Sequence, residues 1–305
     1  MIRRSGAAAL MGLALAGCGA TLGQKAPGAP AMAAYFDCVR QTGLAISAHR
    51  SVSTAEHPEN SIAAILETAR VIPGAIVEVD VARTRDGQLI LMHDQTLQRT
   101  TDGEGRVGEL TLAQIRAVRL ETAAGRVTAE QPPTLEEALA AAGRAGAIIS
   151  LDIKRSDAVT TEAMLGEIVD LVRRSRAQDR TILITGTADG ARMVSAMAPE
   201  MMMSASINDL GDLTGLNPAQ VLAWTGTTEP RPALWAALKE RGIEPQFGTL
   251  GRPGRRLDDV YAADGDVSEY RALFEQGVSV IATDTPLAVL GELRAEVEAA
   301  ARCRR

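Results

Sequence analysis

The chain has 305 residues, 46% of them apolar and 23% charged, with a formal net charge of −6. That length supports one large α/β domain or two small ones with an ample core. The acidic balance argues against a nucleic-acid partner, which normally demands a basic face, and with aromatics at only 3% there is little material for base- or sugar-stacking platforms.

In chain order, Arg3 and Arg4 precede an apolar run from Ala7 to Ala16 that ends Leu15-Ala16-Gly17-Cys18. A basic start, an apolar stretch too short to span a bilayer and small residues at its end predict a signal peptide over residues 1–18. Leu-Ala-Gly-Cys resembles the bacterial lipoprotein box, in which Cys18 receives lipid. Residues 19–34, rich in Gly, Ala and Pro, read as a flexible tether, and residues 35–305 as the folded body. The expected location is the bacterial cell envelope, facing the periplasm, with lipid holding the domain on a membrane rather than inserting it.

From Leu44 onward, short β-prone runs alternate with helical stretches. The predicted strands are Leu44–Ala48, Ala75–Val81, Leu89–Met92, Ala147–Ile153, Thr181–Thr185, Met202–Ile207, Val221–Thr225, Pro245–Gly248 and Ser279–Thr283. Helical periodicity is clear in Ser61–Val71, Thr134–Arg144, Glu162–Arg174, Pro232–Arg241 and Leu287–Ala301. Such alternation predicts parallel strands with helical crossovers. Between Val81 and Leu89 there is no room for a crossover, and Asp86-Gly87 is a hairpin turn signal. The third run therefore folds back on the second. Setting it aside leaves eight βα units, the content of a TIM-type (β/α)8 barrel of roughly 250 residues, with a doubly wound open sheet as the alternative. Residues 96–131, polar and with a short helix around Leu112–Val118, read as an excursion over the barrel mouth.

His49, Glu78, Asp80, Asp152 and Asp284 fall at or near the C-terminal ends of predicted strands, and His93 returns to the same rim through the hairpin. Barrel active sites lie at that rim. Glu78 and Asp80, two residues apart on one strand, point to the same face, about 7 Å apart, and repel one another unless a cation sits between them. Asp152 and Lys154 repeat the spacing with an acid and a base. Three carboxylates without cysteine suit a hard divalent cation, Mg²⁺ or Ca²⁺, rather than Zn²⁺. Adding the charges of Glu78, Asp80, Asp152, one divalent ion, Arg50 and Lys154 leaves a site of net positive charge, which suits a phosphodiester. His49 and His93 would supply the base and the acid.

His49-Arg50, Pro58-Glu59-Asn60-Ser61, Glu78-x-Asp80, Thr84-x-Asp86-Gly87, His93-Asp94, Leu97-x-Arg99-Thr100-Thr101 and the late Thr283-Asp284-x-Pro286 together resemble the glycerophosphodiester phosphodiesterase family. The resemblance is dense from His49 to Thr111, thinner around Pro133–Leu135 and Leu151–Lys154, and returns at Gly277–Pro286. It implies a barrel with one divalent metal ion and two histidines as general acid and base. Carried over by position, His49 and His93 are those histidines and Glu78 and Asp80 the paired ligands. Asp152 stands as the third ligand, Arg50 binds phosphate, and Glu59 orients neighbouring groups. The implied reaction is hydrolysis of a glycerophosphodiester to glycerol 3-phosphate and an alcohol. Three positions depart from the family pattern: Ser51 where Gly is usual, Asp152 where Glu is usual, and Pro245-Gln246-Phe247-Gly248 where a Trp-Thr-x-Asn strand is usual, with Trp224-Thr225 one strand earlier.

Two other functions are compatible with the same residues: a phospholipase acting on intact lipids, and a lipoprotein that binds phosphodiesters or a partner protein without catalysis. His57 is expected in a loop near the mouth, Asp284 as the cap of the helix opening at Pro286, and Met201-Met202-Met203 in the core. With Cys18 lipidated, Cys38 and Cys303 remain at the two ends of the body. A closed barrel brings those ends together, which predicts a disulfide between them in an oxidising compartment.

Overall fold

The computed structural model describes residues 30–304. The predicted signal peptide, Cys18 and most of the predicted tether lie outside the described residues. No described helix is long and apolar enough to cross a membrane.

The strands are β1 (Ala45–Ala48), β2 (Ile76–Arg83), β3 (Leu89–Leu91), β4 (Ile148–Ile153), β5 (Thr181–Thr185), β6 (Met202–Ser206), β7 (Val221–Trp224), β8 (Glu244–Gly248) and β9 (Val280–Thr283). All but β3 run parallel in the order β1-β2-β4-β5-β6-β7-β8-β9, and pairing of β9 with β1 closes the ring. The eight-stranded parallel barrel is thus present. β3 lies outside the ring, antiparallel to β2, with Val81 opposite Leu91. The helices are α1 (Ala33–Thr42), α2 (Ile62–Val71), α3 (Leu112–Ile115), α4 (Leu135–Ala145), α5 (Thr161–Arg174), α6 (Ala188–Met197), α7 (Pro232–Glu240), α8 (Leu257–Tyr261), α9 (Glu269–Glu275), α10 (Pro286–Glu292) and α11 (Arg294–Arg302). Local chemistry sets their starts. Ser61, Thr160 and Thr187 accept hydrogen bonds at the N-termini of α2, α5 and α6, and Thr134 with Glu137 forms a capping box on α4.

The two-residue side-chain period of each strand divides the barrel into layers. On β2, Val77, Val79 and Val81 pack outward against the helices, while Ile76, Glu78 and Asp80 share the opposite, inner face. Ala45, Ile76, Ile148, Ile182, Met202, Leu222 and Val280 form an apolar bottom layer. Two residues further along their strands stand Ser47, Glu78, Ser150 and Ser204, all buried, and Ser204 Oγ donates to Oε1 of buried Gln246 on β8 at 2.7 Å. The interior therefore changes from dry at the bottom to polar at the mouth. The methionine run is core: Met201, Met202 and Met203 are fully buried.

Four features differ from the sequence expectation. Helix α1 starts at Ala33, inside the predicted tether, because Met32, Tyr35, Phe36 and Val39 cover the bottom layer as a plug. Arg40 on that helix pairs with buried Glu244 and donates to the Gly242 carbonyl at 3.0 Å. The last predicted helix breaks at Leu293 (φ −120°, ψ 34°), where Leu293 turns fully into the core and Arg271 clasps Glu292 and Glu296 across the break. Helix α3 ends at Ile115 rather than Val118. The segments 188–197, 257–261 and 269–275, not predicted as helical, are α6, α8 and α9.

Cys38 on α1 and Cys303 beyond α11 are bonded, with Cα atoms 5.8 Å apart and 265 residues between them in sequence. The bridge ties the plug to the end of the chain. Alkylation of the unreduced protein should label neither thiol in an intact-mass measurement; two labelled thiols would refute the bridge. Cys38→Ser or Cys303→Ser should cost about 2–5 kcal/mol in chemical denaturation. Burial pushes the Glu244 carboxyl up to about 8, so Arg40→Met should leave it protonated and without its donor, at a cost of about 1–3 kcal/mol.

Candidate active site

Tight backbone turns bring the polar groups together at the C-terminal rim. After β1 the chain turns through His49-Arg50-Ser51 with φ of 53° at Arg50 and 61° at Ser51. The turn is fastened to β2: the Arg50 amide donates to Glu78 Oε2 at 2.7 Å and Ser51 Oγ to the Glu78 carbonyl at 2.9 Å. Asn60, also in the left-handed region at φ 57°, grips Asp80 twice. Its Nδ2 donates to Asp80 Oδ2 at 2.6 Å and its Oδ1 accepts the Asp80 amide at 2.9 Å. The Met92 amide donates to the Asp80 carbonyl at 2.9 Å, which sets His93 beside the same strand.

Parallel register places Asp152 of β4 directly beside Asp80 of β2. One carboxylate oxygen from each of Glu78, Asp80 and Asp152 lies within 4.8 Å of the others. Burial together with the Asp80 charge pushes the Glu78 carboxyl up to about 8. Burial also acts against the charge on Asp80, but the Lys154 ammonium and the Asn60 amide outweigh it and hold that carboxyl below its ordinary range. An all-oxygen trio that cannot carry its full charge unaided fits a hard divalent cation. Lys154 spans two of its members, contacting Asp152 and lying 2.7 Å from Asp80 Oδ1. It therefore braces the acids, and it also reaches the neighbouring cavity.

Each histidine has its Nδ1 on an aspartate: His49 on Asp284 Oδ1 at 2.7 Å and His93 on Asp94 Oδ1 at 2.6 Å. Asp94 is held down to about 2 by Arg99 first and then His93. Burial opposes the charge on Asp284, but His49 and the surrounding donors bring it down to about 2. Two anionic acceptors fix the proton on each Nδ1, leaving each Nε2 for chemistry. Burial pushes His49 down, yet Asp284 and Glu78 prevail and raise it above the usual imidazole value.

Asp284 is thus not the predicted helix cap. Helix α10 has no side-chain cap, and Asp284 instead orients His49 while its Oδ2 binds Arg256 at 2.8 Å and the Gly251 amide at 3.1 Å. The aspartate is drawn into the mouth because Asp258, buried beneath it, takes the Asp284 amide at 2.7 Å. Arg50 is tethered to Glu59 through Nη1 at 3.0 and 3.1 Å, with its Nε 3.8 Å from Asp80. Arg99, from the Leu-x-Arg-Thr-Thr motif, forks between Glu59 (2.7 and 2.8 Å) and Asp94 (2.6 and 3.1 Å). It links the carboxylate behind Arg50 to the one behind His93. The roles of Asp94, Arg99 and Asn60 follow only from this three-dimensional arrangement; their signal in the sequence is membership of dense polar motifs. His57 sits in the loop between β1 and α2. On the far side, Trp224 lines the mouth together with His49, Glu78 and Gln246. A Cβ at position 248 would come within 2.5 Å of the Trp224 ring, so Gly248 makes room for an indole projecting from the adjacent strand.

A closed parallel barrel carries an acidic trio and two aspartate-held histidines at its C-terminal rim, the rim where barrel active sites lie. The sequence matches the glycerophosphoryl diester phosphodiesterase family over residues 49–288, and the chain belongs to that family. It is 31% identical over 157 residues to a glycerophosphodiester phosphodiesterase of Caldanaerobacter subterraneus subsp. tengcongensis, covering 51% of this chain and 63% of that protein. Human glycerophosphodiester phosphodiesterase 1 is 42% identical over 123 residues, 38% of this chain and 36% of its own length. Among solved structures, a glycerophosphoryl diester phosphodiesterase of Parabacteroides distasonis superposes with a TM-score of 0.68 at 27% identity, covering 83% of this chain and 87% of its own.

Because a proton competes for Glu78 up to about pH 8, a divalent cation should bind more weakly as pH falls from about 8 toward 6, measured by calorimetry. Thermal unfolding should shift upward with added cation in the native protein. Glu78→Gln should stabilise the cation-free protein, by roughly 1–3 kcal/mol, and lose most of the cation-dependent rise. Asp284→Asn should lower the titration midpoint of the His49 imidazole by NMR, since the raised value depends on that carboxylate.

Proposed function

We propose that the protein is a metal-dependent glycerophosphodiester phosphodiesterase that releases glycerol 3-phosphate and an alcohol. The observation that carries this reading is the pair of aspartate-held histidines flanking the Glu78-Asp80-Asp152 trio. A phosphodiester bridging the trio has a base on one side and an acid on the other, which is the requirement for in-line displacement at phosphorus. A divalent cation bound by the trio supplies charge neutralisation of the phosphoryl oxygen and acidifies a neighbouring hydroxyl. Arg50 binds a further phosphoryl oxygen, steadied by Glu59. One histidine takes the proton from the glycerol hydroxyl next to the ester; that oxygen bonds to phosphorus as the bond to the alcohol breaks. The other histidine protonates the departing alkoxide. Water then opens the cyclic phosphate with the two histidines in exchanged roles.

Support also comes from relatives that bear the enzyme's name, although the chain spans only part of the length of those described above. Localisation is part of the proposal: residues 1–18 as a lipoprotein signal with Cys18 lipidated, residues from 19 on as a tether, and the barrel held at a membrane of the bacterial envelope on the periplasmic side. Labelling with a radioactive fatty acid should be lost in Cys18→Ser.

Purified protein with Mg²⁺ or Ca²⁺ should hydrolyse deacylated glycerophosphodiesters, and a chelator should abolish turnover. Activity confined to intact phospholipids would replace this reading with the phospholipase one. His49→Ala and His93→Ala should each lower kcat by about 10²–10⁴-fold, with full activity in both overturning the mechanism. Arg99→Ala should lower kcat more than it raises KM, because Arg99 positions groups without meeting substrate.

A further inference from the structure

Two separate cavities flank the acidic trio, and they differ in chemistry. One includes Glu78, Asp152 and His49 in its wall, together with Trp224, Ile184 and Leu250. The other, about 240 Å³, lies on the His93 side. It is bounded by the 3-10 turn Val107–Glu109 of the excursion and by residues 155–158 after β4, and Lys154 and His93 line it where it faces the trio. No member of the trio lines this second cavity. Two of the three acids and His49 open onto the first cavity, which assigns the glycerol half, whose hydroxyl must be activated, to that cavity and leaves the second for the departing alcohol.

We propose that the His93-side cavity is the subsite for the alcohol and that it selects head groups carrying an anion, with Arg155 as the selecting residue. This rests on the phosphodiesterase reading above. The cavity is lined by Arg83, Arg106, Lys154 and Arg155 against Asp94, Glu109 and Asp157, one cation in excess. Arg83 is engaged by Glu167 at 2.8 Å, Arg106 by both Asp157 at 3.1 Å and Glu109 at 3.4 Å, and Lys154 by the trio. Asp94 is engaged by Arg99 at 2.6 Å. Arg155 alone of the four cations has no ion pair among the described residues, and it is exposed to the cavity opening. A carboxylate or phosphate on the alcohol meets that guanidinium in the geometry arginine favours. A quaternary ammonium meets no Phe, Tyr or Trp face, since none of these three lines the cavity. The Arg106–Asp157 pair bridges the two walls with both partners largely exposed, at 46% and 85%. Such an exposed pair is weak and leaves both side chains free to rearrange around a head group.

The test compares kcat/KM for glycerophosphoserine and glycerophosphocholine at saturating cation, in the native protein, Arg155→Ser and Arg155→Glu. The native ratio should favour the serine diester. It should fall by roughly fivefold in Arg155→Glu, the scale of one partly exposed charge contact, with Arg155→Ser between. A native ratio favouring choline, or a ratio unchanged across the three proteins, overturns the proposal. So does a ratio that moves in Trp224→Leu but not in the Arg155 variants, which would put the alcohol in the other cavity. Failure of the native protein to turn over either diester defeats the phosphodiesterase reading itself, whereas turnover with a flat ratio defeats only the subsite.

Discussion

Two carboxylates held two residues apart on one buried strand face set the terms for the mouth of this barrel. Glu78 and Asp80 share the inner face of β2, and parallel register adds Asp152 from β4 alongside Asp80. Like charges at this spacing in a partly desolvated site raise the energy of the folded protein unless cations and donors surround them. Much of the local structure does that. Asn60 takes a left-handed conformation to grip Asp80 from two sides, and Lys154 spans Asp80 and Asp152. The Arg50 amide, aimed by a strained turn, reaches Glu78. The arrangement is costly for stability and suited to cation binding, so the most function-specific atoms of the molecule are also its least comfortable.

Stability is concentrated at the opposite end. The bottom layer of the barrel is aliphatic and covered by α1, whose Phe36 and Val39 are fully buried. The Arg40–Glu244 pair and the Cys38–Cys303 bridge fix that plug to β8 and to the C-terminal helix. A disulfide far from the rim constrains the unfolded chain without stiffening the loops that must admit substrate. The excursion at the mouth has its own small core of Ile90, Met92, Leu97, Val107 and Ile115 packed on the β2–β3 hairpin. It can therefore present Arg99 and Asp94 firmly while leaving its outer edge, near Arg106, free to adjust.

The sequence made the barrel and the trio legible because both depend on short-range periodicity. Alternation of apolar runs with helical stretches marks the strands, and the spacing of Glu78 and Asp80 puts them on one face wherever the strand goes. Barrel closure made the Cys38–Cys303 bridge legible, but the side-chain pairings that closure creates at the rim were not. Asp284 meets His49 across 235 residues of sequence; from local spacing before a Pro-led helix it reads as a cap, and only the β9–β1 pairing brings it to the imidazole. Arg99 joins Glu59 and Asp94 through side chains long enough to cross between loops, which no periodicity encodes. Helix α1 was hidden for a different reason. Its start lies in a Gly-, Ala- and Pro-rich stretch, and its burial depends on a bottom layer built from seven distant strands.

The departures from the family pattern are absorbed by their surroundings. Ser51 occupies a left-handed position, φ 61°, where the family usually has Gly, and a side chain there costs about 1 kcal/mol. Its hydroxyl donates to the Glu78 carbonyl at 2.9 Å and its own carbonyl accepts Thr68 Oγ1 at 2.7 Å. These buried bonds are worth about as much as the strain and lock the turn bearing His49 and Arg50 onto β2 and α2. Asp152 is one methylene shorter than the usual Glu, but direct registry with Asp80 brings its oxygen within 4.8 Å of both partners, so backbone placement replaces side-chain reach. The missing Trp-Thr-x-Asn strand is met from next door. Trp224 of β7 pairs in register with Gln246 of β8, and Gly248 clears the space for its ring. The mouth thus has an aromatic wall supplied from β7. At this rim, strand register and the room left by one glycine decide what stands beside the acids, more than the residue types of any single strand.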